Sequence, residues 1–430
     1  MLSFFPFMWV HGQNSNISVT GDSLSLPAII SRVISNYPSV NKAENEIEGA
    51  DARIGLAKSA YYPDISVSSS YSRIGPTLSI TIPGMGTFSL YPSDNYSAVL
   101  NYNQTIYDFG KTAKSISFEQ QNKELVKLSA EQIKQRLSLS LVGNYYSIVF
   151  LQEAIRIKDE ELTNLNEHLS FVEKKVDTGS ATQYEILTTK VRISSIENQK
   201  TDLLTSLQVQ LCQLNSFLGQ SEKTPLTIKK DLGNTQTIAP VDSLIAFAFA
   251  HRDELKIARQ KSALAQARYK MVSAQMNPAF NFFASGGFKN GYLPDLNTPK
   301  ANYVVGVGLK IPIFDATRIK YNCLQVKTDM LSNDQDTELA RRNIVNEVVE
   351  SQANAEAALK KVAQSELQLQ QALQAYALAE TSFRSGVITN LDLLDGSTSV
   401  AESRLSLLKT KIDYTVSLLR LKIAVGERLY

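Results

Sequence analysis

The chain has 430 residues with 44 Lys and Arg against 42 Asp and Glu, a formal net charge of +2. This balance lacks the basic excess of a nucleic-acid-binding protein, so no nucleic-acid partner is expected. Two cysteines and three histidines, all far apart in sequence, exclude a disulfide framework and disfavour a histidine-based metal centre. No motif for phosphate binding, nucleophilic catalysis or metal binding occurs, so we expect no cofactor and no enzyme activity.

Residues 1–21 are largely apolar as far as Val10 and polar afterwards. Val10, His11 and Gly12 suit a cleavage site, but no Lys or Arg precedes the apolar run, so the match to a signal peptide is partial. We predict a signal peptide and export, with an N-terminal tail of the mature chain as the alternative. Because no cysteine lies nearby, we predict no lipid attachment.

Long helices are predicted for most of the chain because residues that end helices are sparse. No proline occurs between Pro92 and Pro225 or after Pro312. One stretch shows the apolar spacing of a coiled coil, at Ile155, Leu162, Leu165, Leu169, Val172 and Val176. The predicted helices span 24–61, 112–177, 182–219, 241–277, 317–384 and 389–426. At a rise of 1.5 Å per residue the two longest would each measure roughly 100 Å.

Four segments alternate between apolar and polar residues and are predicted as strands, at 63–75, 96–109, 278–291 and 301–314. Each is long enough for the roughly 9–11 residues of a tilted transmembrane strand. Four strands cannot close a barrel, for which about eight are needed, and a bilayer does not tolerate open sheet edges. The strands therefore predict a cyclic oligomer of two, three or four chains.

The two halves of the chain are related by a repeat. An offset of 215 residues aligns Ala50, Ala52, Arg53 and Pro63 with Ala265, Ala267, Arg268 and Pro278. An offset of 207 residues aligns Gly179 with Gly386, and Gly219 with Gly426. We predict a first repeat at 22–219 (helix, two strands within 63–109, long helix, turn, helix). A linker at 220–240 and a second repeat at 241–430, with strands within 278–314, complete the chain.

The turn after each long helix ends in a predicted capping box. Thr389 with Asp392, three residues later, has the spacing in which the side chains of a helix N-terminus bond each other's backbone N–H groups. Thr182 with Glu185 repeats this spacing at the 207-residue offset. Capping explains these acids but not Asp395, whose counterpart in the first repeat is Thr188.

Taken together, these features resemble the TolC-type outer-membrane efflux proteins over roughly 22–428. The most specific pieces are the duplicated Ala-x-Ala-Arg passages, the strand ends Ile106-Tyr107-Asp108 and Ile313-Phe314-Asp315, and the two glycine turns. The resemblance implies a mixed α and β fold. Long antiparallel helices would form a coiled-coil tunnel, and each chain would add four strands to a shared trimeric transmembrane barrel.

The resemblance also implies location and partners. A homotrimer would sit in the outer-membrane lipid of a Gram-negative bacterium and extend into the periplasm. The turns at Gly179 and Gly386 would dock to a periplasmic adaptor (membrane-fusion) protein that serves an inner-membrane transporter. The implied function is a passive exit duct for small molecules or protein in a tripartite efflux or type I secretion system. The alternative is a periplasmic coiled-coil structural or adhesion protein without a pore, against which the alternating strand faces argue.

The resemblance assigns a periplasmic constriction to Asp392 and Asp395. Six carboxylates from three chains would favour cations and bind divalent ions, and mutual repulsion would raise the carboxylate pKa values. Glu185 matches the acidic partner of the family's gating contacts. The family's basic partner is replaced by Ile388, and Phe383 stands where a tyrosine would offer a hydroxyl. Arg384 is the nearest basic substitute.

Overall fold

The fold of the chain is dominated by two helices of 67 residues each. In the computed structural model, which describes residues 24–232 and 238–430, these are α3 (Lys111–Asp177) and α7 (Arg318–Arg384). At 1.5 Å per residue each is about 100 Å long. The signal peptide or N-terminal tail predicted at 1–21 lies outside the described residues.

The remaining elements fall between and around these two helices. The strands are β1 (Asp64–Arg73), β2 (Ser79–Ile82), β3 (Gly86–Ser89), β4 (Asp94–Tyr107), β5 (Ala279–Lys289) and β6 (Lys300–Lys310). The other helices are α1 (Leu26–Asn36), α2 (Pro38–Ser59), α4 (Gln183–Leu218), α5 (Val241–His251), α6 (Asp253–Ser273) and α8 (Asn390–Ala424). The predicted bounds of α3, α4, α7 and α8 are confirmed to within two residues.

The long helices pack as two antiparallel hairpins, α3 with α4 and α7 with α8, and α3 also packs against α8. The predicted coiled-coil seam of α3 is confirmed, since Leu165 and Val172 are buried and Leu162, Leu169 and Val176 pack against them and their neighbours. Midway along the hairpins, α1 and the end of α4 cover α3, and α5 and α6 cover α7. Within the described ranges, no helix is both long enough and apolar enough to cross a membrane.

Two predicted single helices are each broken in two. The helix expected over 24–61 stops at Asn36 and restarts at Pro38, because proline lacks an N–H and its ring forces Tyr37 into extended geometry. The helix expected over 241–277 stops at His251 and restarts at Asp253, with a 3₁₀ turn at 274–276. No proline causes the second break; Arg252 is extended there, and its buried guanidinium bonds to Glu347 and to the carbonyl of Ala424.

The four predicted strands form one antiparallel sheet in the order β1-β4-β5-β6. The register places most of the apolar residues of the four strands on one face, where they form a continuous surface. They are Ile65, Val67, Tyr71, Tyr96, Ala98, Leu100, Tyr102, Phe280, Phe282, Ala284, Phe288, Tyr303, Val305, Val307 and Leu309. Many are exposed, including Tyr303 at 83%. The predicted alternation is therefore confirmed for most positions, with Val99, Phe283 and Val304 as apolar exceptions on the other face.

The opposite face of the sheet is lined largely by serines and asparagines. Asn101 donates to the Ser68 hydroxyl at 2.9 Å, and Thr105 donates to Asn281 Oδ1 at 3.1 Å. Residues 76–95, which separate the first two predicted strands, contain the β2–β3 hairpin, which was not predicted. Ile80 and Ile82 supply the period-two pattern of that short hairpin, which the surrounding Gly and Pro residues obscured.

Candidate functional site

The two turns that join the long helices to their return helices share one geometry, and we call them the tip turns (residues 178–182 and 385–389). Gly179 has a φ of 74° and Gly386 a φ of 76°. The N–H of Ser180 bonds to the carbonyl of Lys175 at 2.8 Å, and the N–H of Val387 bonds in the same way to Ser382 at 2.9 Å. Both turns are thus glycine-terminated helix ends that satisfy the last free carbonyls of α3 and α7.

Replacing Gly386 with alanine is expected to destabilise its tip turn by about 1 kcal/mol, because a Cβ is disfavoured at positive φ. The site itself is open, since a Cβ added there would meet no atom within 4 Å, so the cost comes from the backbone alone. Hydrogen exchange of the segment 380–395 measures the effect. Gly55→Ala in α2, which also has open space but an ordinary helical φ, should instead be neutral or stabilising.

Both predicted capping boxes are present at the tip turns. Asp392 accepts hydrogen bonds from the hydroxyl of Thr389 at 2.7 Å and from its N–H at 2.9 Å, and returns its own N–H to that hydroxyl at 3.3 Å. Glu185 accepts from the N–H of Thr182 at 3.2 Å. The hydrogen bonds from Thr389 hold the pKa of Asp392 below its ordinary value of 3.8. The cap is therefore intact at neutral pH and is lost only as the pH falls through that lowered pKa.

Asp395, which capping leaves unexplained, pairs with a cation from the other hairpin. The Nη2 of Arg192, in α4, lies 3.3 Å from Oδ1 of Asp395 in α8. Asp392 and Asp395 both remain solvent-exposed, with the Asp395 side chain 65% exposed. One carboxylate is thus engaged in its own helix cap and the other in a contact between the two repeats.

Phe383 is buried, whereas its neighbour Arg384 is exposed. Phe383 is buried in an apolar cluster with Val172, Ile186 and Leu393. Its ring lies 5.4 Å from that of His168, and the ammonium of Lys175 stands 4.5 Å from its centroid. Arg384 is exposed and pairs with Glu380 of its own helix at 2.6 Å. Phe383 therefore joins the two hairpins, whereas the ion pair of Arg384 stays within α7.

Asn390, which the sequence analysis did not single out, lies at the centre of the site. It is 5% exposed. Its Oδ1 lies 2.6 Å from Nε2 of His168, and its Nδ2 donates to the Glu185 carbonyl at 3.4 Å and the Thr189 hydroxyl at 3.3 Å. One amide in the first turn of α8 thus bonds both helices of the other hairpin. Its position inside a capping box conceals this role, because asparagine is common in such turns.

The site combines exposed charge with a buried scaffold. Exposed carboxylates stand on a scaffold of buried Phe383, Asn390 and packed leucines. Within 24–232 and 238–430, no group of three or more His, Cys, Asp and Glu side chains is arranged to hold a metal ion. Within one chain, then, the geometry offers fixed charge at the end of a helical hairpin pair.

The sequence model of the outer membrane efflux proteins matches residues 29–220 and 244–427, most of the chain and one segment for each repeat. The chain belongs to this family. It is therefore an outer-membrane protein of a Gram-negative bacterium that takes part in efflux. The fold described above, with its two hairpins and four-stranded sheet, is the fold of the family's solved members.

Two relatives and one solved structure show how distant the similarity is within this family. The outer membrane protein TolC of Vibrio cholerae is 20% identical over 411 residues, which cover 94% of this chain and 90% of that protein. The cation efflux system protein CusC of Escherichia coli is 22% identical over 407 residues, or 93% and 85% of the two chains. The structure of the outer membrane protein VceC of Vibrio cholerae superimposes with a TM-score of 0.75, at 19% identity, covering 94% of this chain and 97% of that one.

Proposed function

We propose that three copies of this chain form a passive exit duct through the outer membrane and the periplasm. Their sheets together would make a 12-stranded barrel, and their hairpins a helical tunnel. The duct would serve a tripartite efflux or type I secretion system and conduct small molecules or protein outward. Since no residue pattern of the chain provides for nucleotide hydrolysis, the energy comes from an inner-membrane transporter, reached through a periplasmic adaptor.

The observation that carries this proposal is the pair of open edges on the sheet. The order β1-β4-β5-β6 leaves one side of β1 and one side of β6 without a partner among the described strands. All neighbours are antiparallel, so β1 and β6 run in opposite directions. Joining β6 of one chain to β1 of the next continues the antiparallel pattern without interruption. A ring of three chains closes it with 12 strands and leaves no free edge, as a bilayer requires.

The two faces of the sheet support the same assembly. Its continuous apolar face, which includes Val67, Leu100 and Val305, is exposed in the single chain and has the chemistry of a lipid-facing barrel wall. The serines and asparagines of the other face suit a water-filled interior. A periplasmic coiled-coil protein without a pore, the alternative function, would leave this large apolar surface in water.

In this proposal the tip turns lie at the periplasmic end of the duct, opposite the barrel. Because the strands lead directly into α3 and α7, each tip turn lies about 100 Å from the sheet along its helix. Gly179 and Gly386 would present the docking surface for the adaptor. Asp392 and Asp395 would line the periplasmic constriction, and Glu185, Phe383 and Arg384 would support it.

The edge pairing can be tested with engineered cysteines. In a chain whose native free thiols Cys212 and Cys323 are replaced by serine, Val67→Cys in β1 is combined in turn with Tyr303→Cys, Val305→Cys or Val307→Cys in β6. Oxidation in intact outer membranes should give a covalent trimer for at least one pair, because neighbouring antiparallel strands bring Cα atoms within disulfide range. Gel electrophoresis without reductant reports the trimer.

The matched control combines Val67→Cys with Leu100→Cys, which are register partners within one chain. This pair should form a disulfide and remain a monomer. Absence of any trimer while the control disulfide forms would contradict the shared barrel. The purified protein in planar bilayers should also conduct ions; a protein that forms no pore and stays in solution without detergent would support the coiled-coil alternative.

A further inference from the structure

The contact between Arg192 and Asp395 joins parts of the two repeats that are not equivalent. At the 207-residue offset, the counterpart of Asp395 is Thr188 and that of Arg192 is Ser399. The first repeat thus has a cation where the second has a hydroxyl, and the second has an anion where the first has a hydroxyl. Opposite charges occur at these two sites, and the fold brings them within 3.3 Å of each other.

The packing beside this pair holds the two helices at a defined spacing. One turn before Arg192, the buried Thr189 bonds to Asn390 of α8. Directly next to the pair, Leu394 packs with Ile193 and Ile196 in one buried cluster. The helix positions that carry the guanidinium and the carboxylate are therefore held at a fixed spacing by the contacts of their neighbours.

The ion pair contributes little to the free energy of unfolding, but it changes the local charge. The Arg192 side chain is 32% exposed and that of Asp395 is 65% exposed, and ion pairs in such surroundings contribute little net free energy. An ion that passes the site nevertheless sees the sum of nearby charges. Asp392 contributes −1 and is bonded to the neutral Thr389, whereas Asp395 and Arg192 contribute −1 and +1 and cancel.

We infer that Arg192 sets the charge selectivity of the constriction by neutralising Asp395, which leaves Asp392 as the uncompensated acid. This inference rests on the proposed duct and deepens it. In the native chain the charges of Asp392, Asp395 and Arg192 add up to −1. Arg192→Gln makes it −2, Asp395→Asn makes it 0, and the double variant returns it to −1. The selectivity of the pore should follow this sum, since fixed charge at a narrow point sets the local concentration of ions of each sign.

The test is the cation-to-anion permeability ratio of each purified trimer, obtained from the reversal potential in a potassium chloride gradient. Arg192→Gln should raise the ratio severalfold and Asp395→Asn should lower it severalfold. The double variant should return to the native ratio. Arg192→Lys, which keeps the charge, should also remain near the native value. Trimer yield and circular dichroism establish that each variant is folded.

Three results would overturn the inference. The ratio could be unchanged in Arg192→Gln although Asp392→Asn lowers it, which would show that Arg192 is remote from the ion path. The double variant could equal Asp395→Asn, which would show that Arg192 does not act on that carboxylate. If native trimers do not conduct at all, the proposed duct fails, and the inference fails with it.

Discussion

Replacing Arg252 with alanine is expected to lower the free energy of unfolding by about 2 kcal/mol, within the range for losing hydrogen bonds to a charged group. The Arg252 side chain is 9% exposed. It donates to Glu254 at 2.8 Å, to Glu347 at 2.6 Å and to the carbonyl of Ala424 at 3.0 Å. Alanine leaves all three acceptors without their shared cation where α5, α6, α7 and α8 meet. Urea unfolding of the full-length protein in detergent measures the loss.

Arg342→Ala is the matched control for this substitution. Arg342 also pairs with a glutamate, at 3.1 Å from Glu338, but its side chain is 73% exposed and its partner is one turn away on the same helix. Its loss should cost no more than about 0.5 kcal/mol. Equal effects of the two variants would show that the Arg252 network does not hold α5 and α6 against the long helices.

Replacing Asp392 and Asp395 together with alanine is expected to weaken block of the pore by divalent cations at least about tenfold, equivalent to ~1.4 kcal/mol of binding free energy. In a trimer the change removes six carboxylates from around one axis and leaves three copies of Arg192. Divalent ions then meet a positive rather than a negative site. Block of single-channel current by magnesium, titrated from the periplasmic side, measures the effect.

Two controls separate charge from folding in this experiment. Asp392→Asn with Asp395→Asn keeps acceptor oxygens for the Thr389 cap while removing the charge, and it should weaken block as strongly as alanine does. Glu338→Ala removes an acid far from the tip turns and should leave block unchanged. Unaltered block in the double asparagine variant would refute the carboxylate ring.

Much of the helical architecture could be predicted because it depends on local rules. Gly179 and Gly386 are the residues that the tip turns need at positive φ, and the absence of proline leaves α3 and α7 uninterrupted. Period-two alternation predicted which side chains share a face of the sheet, because a slip of one residue would move them all to the other face. The break at Pro38 was also visible in the sequence and should have been predicted from its ring.

The features that could not be predicted depend on contacts between segments that are distant in sequence. Arg252 aligns with Tyr37 at the 215-residue offset, so the two repeats break the helix at the same place. The second break has no proline, and the guanidinium of Arg252 reaches α7 and α8 instead. The roles of Asn390 and Arg192 likewise require the two hairpins to be placed side by side. In hindsight the asymmetry of Asp395 with Thr188 was a usable signal, since a charge with no counterpart in the other repeat calls for a partner of its own.

The central strand pairing of the sheet has a consequence for the order of folding. Tyr102 of β4 pairs with Ala284 of β5, so α3, α4, the linker, α5 and α6 all lie in sequence between these two adjacent strands. Closing so long a loop lowers the conformational entropy of the chain, and this loss is offset only when many contacts form together in a late step. Contacts of such high sequence separation also slow folding. The β1–β4 and β5–β6 pairs can form early and locally, but the sheet itself cannot exist until both halves of the chain have been synthesised. A chain released after its first repeat would hold two pairing-competent strand edges with no partner to cover them.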